Sequence, residues 1–401
     1  MLDSSEPGRA SCPDRIAVIG GGRWACVLAE KLCKIVPGPV RLSVHSRHNS
    51  ESVAAWIAAH ALRERIHVSS DWPRSCEDTS AVIVANAARD HEKAVEWALG
   101  AGLPVLVEKP LALNAASAQH LVDQARTRSV RLAAANVFLF ASYLERFAAV
   151  VSHERAIRFV RVCWMDPGVE NRYGAEKRFD PGLPIFADWL PHVSSILGTL
   201  LPSSPHRCER LRFVRGGAHL ELELAVGGVP CSVQLVRNGE RRQRVIEVAA
   251  SDRVLQLDFS VEPGRIGCGP TTLDGDPDWN VRESPLGLML RAFLRWAAGG
   301  WFDRRLDTEI GLRACRLVDQ TLPMYHAALL PWLTARLTHP GNADEDLRYA
   351  LGEILQFRGL LSTAALEREI ERVRDQFAKA PDTKWLSALI SARTASAEEQ
   401  S

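Results

Sequence analysis

Residues 16–25 read IAVIGGGRWA, and the fold of the chain follows from them. Four apolar residues, Ile16, Ala17, Val18 and Ile19, make a short run suited to a strand buried on both faces. Gly20, Gly22 and Ala25 then fall on the GxGxxG/A spacing that turns a strand into a helix. Each answers a physical demand: Gly20 permits the tight turn, Gly22 lets backbone approach a pyrophosphate, and Ala25 lets the helix sit close to the sheet. Trp24, Val27, Leu28, Leu32 and Ile35 continue at helical spacing. The turn therefore opens a helix whose N-terminal N–H groups and dipole would face phosphates. In this context the glycines form a dinucleotide-binding fingerprint, with Arg23 and Trp24 inside the cofactor turn.

The 401 residues exceed one typical core and imply two domains with an appendage. Hydrophobic residues at 46% and charged residues at 24% are those of an ordinary soluble globular protein. A net charge of +1 gives no global field for nucleic acid or an anionic membrane, and no apolar run is long enough to span a bilayer. The nine cysteines stand without a CxxC pair, so neither a metal site nor a disulfide framework is indicated and a cytoplasmic location fits. Residues 1–13 are polar and read as a flexible arm, not a secretory signal.

Val40, Leu42 and Val44 alternate as a second strand, and the residues just past its end bear on the cofactor. At this strand end Asp or Glu takes the ribose 2′-hydroxyl of NAD, whereas an Arg accommodates the 2′-phosphate of NADP. The chain has His45, Ser46, Arg47 and His48, with no carboxylate until Glu51. NADP is therefore expected over NAD, with Ser46 donating a hydrogen bond and Arg47 supplying a charged fork. A helix over 50–60, a strand over 66–68, the apolar run AVIVA at 81–85 and a helix over 90–99 come next. Such alternation gives a parallel sheet with helices on both faces. Asn86, at the carboxyl end of the 81–85 strand, either contacts cofactor or starts a turn.

The next strand, 104–107, runs directly into Glu108, Lys109 and Pro110. Here the chain resembles the Gfo/Idh/MocA family of oxidoreductases, which includes glucose-fructose oxidoreductase and inositol dehydrogenase. The resemblance rests on GGGRWA, on NAARDHEKAVEWALGAGLPVLVEKPLA and on RLAAANVFLF, so it covers most of residues 16–140. It implies a Rossmann nucleotide domain, with Glu108 among the cofactor-binding residues, Lys109 beside the nicotinamide and substrate, and a Lys109–Pro110 bond that is often cis. Geometry agrees, because a lysine at the carboxyl end of a parallel strand, fixed by the proline after it, lies near a bound cofactor.

From about residue 157 strands come in succession, over 157–165, 211–215, 219–226, 230–236, 245–249 and 254–259. Alternation in LELELAV and RFVRVCW places one face on a core and one in water, which describes an open, largely antiparallel sheet in an α+β second domain. An insertion from Asp166 to about Leu201 carries a basic loop with Arg172, Tyr173 and Lys177, expected to bind the substrate, and then PIFADWLPHVSSILGTLLP. Asp188 and His192 are four apart and share a helix face. The resemblance implies that such a pair binds or protonates the substrate oxygen. The chain departs from the family here: residues 184–187 replace the usual glycines, and Pro191 precedes the histidine. Pro191 fits if Asp188 begins the helix, which would also make Asp188 an N-cap.

Helices are expected over 286–298 and 308–326, a linker over 338–344, and further helices over 347–378 and 384–392. The sequence thus divides into an arm (1–13), a nucleotide domain (14–137), a substrate and oligomerisation domain (138–337) and a helical extension with a frayed tail (338–401). The expectation is an NADP-preferring oxidoreductase, with NAD as the other cofactor, acting on a carbonyl or alcohol carbon of a sugar, cyclitol or related small molecule. Lys109, His192 and Asp188 form the catalytic set, and the family resemblance implies a homo-oligomer. The alternatives are an imine reductase acting on an intermediate held by a carrier protein, and a non-catalytic NADP-binding regulator or scaffold.

Overall fold

A computed structural model describes residues 13–73, 78–172, 175–176, 179–202, 205–339, 344–357 and 361–391. The chain divides into two units, Met1–Glu145 with Pro277–Cys315 and Arg146–Asp276 with Arg316–Ser401. Of residues 138–337, 138–145 and 277–315 fall in the first unit and 146–276 and 316–337 in the second.

In the first unit strands and helices alternate: β1 (Arg15–Ile19), α1 (Arg23–Ile35), β2 (Arg41–His45), α2 (Ser50–Ala59), β3 (Ile66–Ser69), β4 (Ala81–Val84), α3 (His91–Gly100), β5 (Val105–Val107), α4 (Ala115–Thr127) and β6 (Leu132–Ala134). The strands form a wholly parallel sheet in the order β3-β2-β1-β4-β5-β6. Strand order reverses between β1 and β4, and ligands of such sheets enter at the carboxyl ends beside that reversal. The runs IAVI and AVIV are buried throughout, as strands covered on both faces must be. On α1 the buried residues Ala25, Leu28, Ala29 and Leu32 follow a helical stripe, and each fully buried leucine contributes about 1.5–3 kcal/mol. Helix α5 (Ser142–Ser152) leads out of the unit.

The second unit is built on β7 (Ile157–Pro167), a small hairpin of β8 (Asn171–Arg172) and β9 (Ala175–Glu176), helix α6 (Ile185–Leu200), and strands β10 (His206–Val214), β11 (His219–Val226), β12 (Val229–Gly239), β13 (Gln243–Ala250), β14 (Val254–Asp258), β15 (Arg265–Cys268) and β16 (Thr271–Asp274). Eight strands pair in the order β10-β11-β12-β7-β13-β14-β15-β16, antiparallel except for β7 with β12. Six strands match the sequence reading, but β15 and β16 were not anticipated. Gly267 interrupts the first, and the second is exposed along its whole length, so neither shows hydrophobic alternation. One face of the sheet buries Val160, Val162, Trp164, Val233, Leu235, Ile246 and Val248, and α6 packs against it over β11 and β12.

The chain then returns through α7 (Pro285–Ala297) and α8 (Thr308–Leu337), and ends in α9 (Glu345–Gln356), α10 (Thr363–Lys379) and α11 (Thr383–Ser391). Met289, Leu290 and Phe293 of α7 share one core with Leu28 and Leu32 of α1, which places residues 277–315 in the first unit. Helix α8 outruns the expected end at His326 despite Pro323 and Pro331. Val318, Tyr325, Leu329, Leu333 and Leu337 keep one buried stripe through both prolines, and their packing outweighs the roughly 3 kcal/mol that each interior proline costs. Among the described residues no helix is long and apolar enough to cross a membrane.

Candidate functional site

The nucleotide turn begins where β1 ends. Gly20 has φ +143°, and a Cβ there would lie 2.5 Å from the carbonyl oxygen of Ala85, so only glycine lets β1 run this close to the end of β4. Gly22 differs: it caps α1, and a Cβ there would meet nothing within 4 Å. The space over Gly22 is therefore open at the N-terminus of α1, where backbone N–H groups receive phosphate. Asn86, directly after β4, donates through Nδ2 to the Asp90 carbonyl at 3.0 Å, while its Oδ1 is buried without a partner among the described residues. An open glycine and an unanswered amide oxygen at the same sheet edge fit a dinucleotide.

At the end of β2 the basic turn separates into distinct roles. His45 is turned inward, its ring nitrogens 2.6 Å from the Asp71 carbonyl and 2.8 Å from the Ser43 hydroxyl. Ser46 is buried, and its hydroxyl accepts the Asn49 N–H at 3.1 Å, which shapes the entry to α2. Arg47 is exposed.

The turn after β5 is held from several sides within the first unit. Glu108 N–H donates to the Val84 carbonyl at 2.9 Å, extending the sheet pairing one residue past β5. The Glu108 carboxyl is buried, which raises its pKa, with the Trp24 indole and the Lys109 ammonium acting against that shift. The Lys109–Pro110 bond is cis, as the resemblance implies. His91, at the start of α3 and 1% exposed, sets one ring nitrogen 2.8 Å from the Pro110 carbonyl and the other 3.2 Å from the Asn86 carbonyl. One ring thus lies between the turns after β4 and β5, and in its neutral form it donates to one of the two carbonyls. Leu111 and Ala112 pack into the core behind them. Lys109 itself is half-buried, between buried Glu108 and Pro110.

In the second unit, Asp188 and His192 are the two residues among the first eight of α6 that are not buried. The helix starts at Ile185 with Pro184 as N-cap, so Asp188 is not the cap. Pro191 lies in the second turn, beyond the first turn in which a proline costs no hydrogen bond, and its missing N–H removes the bond that would reach Ala187. Instead of capping the helix, the Asp188 carboxylate accepts from Arg237 Nη2 at 2.7 Å, and that arginine side chain is 1% exposed. Arg237 Nη1 donates to the Leu183 carbonyl at 2.9 Å and to the Tyr349 hydroxyl at 3.2 Å. Burial opposes the charge on Arg237, but Tyr349 and Asp188 raise its pKa overall. A second buried arginine, Arg244, pairs with Asp166 and lies 4.1 Å from the Trp164 ring centroid. The His192 ring stacks on that tryptophan at 5.7 Å and 14°. His192 is therefore held by an aromatic platform, and Asp188 by a cation.

Arg172 lies in β8, at the edge of the small hairpin, and Tyr173 and Lys177 lie outside the described residues. Among the described residues no cluster of metal-ligating side chains is present.

Residues 15–136 match the Gfo/Idh/MocA oxidoreductase family with its NAD-binding Rossmann fold. That match covers the nucleotide-binding part of the chain. Over 163 residues the chain is 29% identical to inositol 2-dehydrogenase of Agrobacterium fabrum, covering 40% of this chain and 48% of that protein. The chain therefore spans about half the length of that curated relative. A 3-ketoreductase from Actinomadura kijaniata, solved with TDP-benzene and NADP, matches with a TM-score of 0.61 at 21% identity, over 77% of this chain and 96% of that one. A protein of gentamicin A biosynthesis, solved with NAD, matches with a TM-score of 0.64 at 18% identity, over 82% and 97%. At these identities the structural likeness concerns the fold.

The sequence reading gave no role to His91, although it lies within the NAARDHEKAVEWALG stretch, and none to Trp164, Arg237, Arg244 or Tyr349. A signal existed for two of them. Cys231, Val233 and Leu235 alternate on the buried face of β12, and Arg237 is next in phase. Arg244 likewise precedes Ile246, Val248 and Ala250 on β13. An arginine in phase with a core face must have a buried partner. Nothing comparable marks Tyr349.

Proposed function

We propose that the protein is an NADP-preferring oxidoreductase that moves a hydride between nicotinamide and a carbonyl or alcohol carbon of a small sugar-like or cyclitol substrate. The observation that carries this reading is the turn at Glu108, Lys109 and Pro110. Lys109 is half-exposed at the carboxyl end of β5, a parallel strand paired on both sides, in a turn braced by His91 and packed from behind. The names of the inositol 2-dehydrogenase relative and the 3-ketoreductase neighbour support a polyhydroxylated substrate.

The nicotinamide, when bound, gives or accepts the hydride. Gly22, the first turn of α1 and Asn86 would hold the dinucleotide, and Arg47 its 2′-phosphate. Lys109 stabilises charge on the substrate oxygen, and Lys109 or His192 carries the proton. Asp188 is ion-paired with Arg237, so its part is to orient a substrate hydroxyl, not to shuttle protons. Stacking on Trp164 restricts the His192 ring and favours a fixed direction of proton transfer.

The test is a titration with NADPH and NADH followed by tryptophan fluorescence, then turnover of myo-inositol, glucose and a TDP-linked ketosugar followed by nicotinamide absorbance. NADPH is expected to bind more tightly than NADH. Arg47→Ala should weaken NADPH by about 10- to 100-fold, the worth of a charged hydrogen bond, and leave NADH nearly unchanged. Absence of binding by either nucleotide would overturn the reading.

A further inference from the structure

We infer that the C-terminal extension is a working part of the site, with Tyr349 of α9 a positioning residue that holds Asp188 through Arg237. This deepens the oxidoreductase reading and rests on it. The Arg237 guanidinium has one nitrogen on Asp188 and the other on Tyr349 and the Leu183 carbonyl just before α6. Its plane is fixed further by the Phe179 ring, 4.3 Å away, and by Trp189 at 5.7 Å. A planar fork held at both ends presents its carboxylate partner in one orientation. Burial pushes the Tyr349 hydroxyl up to about 12, so it stays neutral near pH 7 and leaves Asp188 as the counter-ion of Arg237. Tyr349 thus contributes direction and not charge.

The seating of α9 is intimate and specific. A Cβ at Gly182 would lie 2.6 Å from the Gln356 carbonyl oxygen, and one at Gly216, where φ is +63°, would collide with the Asp346 carbonyl. Two glycines of the second unit therefore leave room for the backbone of this helix. Asp346 also pairs with Arg215 at 3.5 Å, and Tyr325, fully buried, donates to Glu353 at 2.8 Å. An extension that served only to recruit a partner would not need to reach the guanidinium that grips Asp188.

The experiment uses the full chain with NADPH and whichever of myo-inositol, glucose or the TDP-linked ketosugar it turns over fastest. Tyr349→Phe keeps the ring and removes the hydroxyl. It should lower kcat about tenfold, the equivalent of one hydrogen bond, with KM and NADPH affinity within twofold of the parent. In an Asp188→Asn background the same change should cost nothing further, because both substitutions act through one guanidinium. Asp346→Asn loosens the same helix without touching Arg237, and should lower the denaturation midpoint while leaving kcat unchanged. Wild-type kcat in Tyr349→Phe, or full additivity with Asp188→Asn, would overturn the inference while leaving the oxidoreductase reading standing. If NADPH binds but the parent turns over none of the three substrates, both readings fall together.

Discussion

Lys109 and Asp188 are held by unlike means. Around Lys109 the partners are near in sequence: His91 reaches Pro110 across 19 residues and Asn86 across 5, and Glu108 is the neighbour of the lysine itself. Around Asp188 they are remote: Arg237 is 49 residues away, and Tyr349 lies a further 112 beyond Arg237. The first arrangement hangs on backbone carbonyls at the ends of parallel strands, which the sheet fixes however the side chains vary. The second depends on buried charge, where each member is costly without the other. Chemistry at the first place can therefore be removed with little effect on the fold, and at the second it cannot.

The most severe way to break that contrast is to delete both side chains in turn. Lys109→Ala should reduce turnover by at least about 10²-fold, as loss of a proton-transfer group does, with the urea midpoint close to that of the parent. Asp188→Ala should reduce turnover and also destabilise by about 3–5 kcal/mol, because Arg237 would be left buried without its carboxylate. The 13% exposure of Asp188 favours the lower end of that range. A stability loss in Lys109→Ala equal to that in Asp188→Ala would remove the distinction.

A smaller and sharper test lies within the nucleotide turn. Gly20→Ala puts a Cβ at φ +143° against the Ala85 carbonyl, a strain of about 1–3 kcal/mol that appears in the denaturation curve. Gly22→Ala meets no protein atom, so its cost to folding should stay below about 1 kcal/mol while NADPH affinity falls. If both variants lose stability and keep affinity, Gly22 does not face the pyrophosphate.

The same contrast explains how far the sequence could be read. Residues 16–25 and the Glu108, Lys109 and Pro110 turn are continuous segments whose small residues and spacing carry the physical requirement with them, so the Rossmann order of the first unit was legible. Asp188 and His192 were legible as a pair, since four residues apart on a helix is also a local relation. The partners that decide what Asp188 can do were not. Arg237 showed only as a charge in phase with a buried strand face, and Tyr349 sits in a helix whose charged, amphipathic neighbours gave no reason to carry it inward. Strands β15 and β16, at one end of the sheet, escaped for a different reason: broken by Gly267 or exposed on both faces, they owe their existence to pairing with β14 and with each other.

The mildest prediction concerns the brace behind Lys109. Burial pushes the pKa of His91 down, opposed by its bonds to the Pro110 and Asn86 carbonyls, and the nearby Lys109 charge adds to the depression. The folded state therefore prefers the neutral ring, whereas an unfolded histidine titrates near its usual value of about 6.5. Between those two values the unfolded chain binds the extra proton, so stability increases with pH there. The stability this ring contributes is complete above about pH 6.5 and is lost as pH falls through the folded value. His91→Asn should remove that dependence: urea midpoints of parent and variant should differ most above pH 7 and converge on acidification, with the depressed titrations of His45 and His219 common to both. A gap between the two curves that stayed constant from pH 8 to pH 5 would mean that His91 holds the turn without titrating. The link it makes between the turns after β4 and β5 would then be one of packing, and no acid-induced loosening of Lys109 should follow.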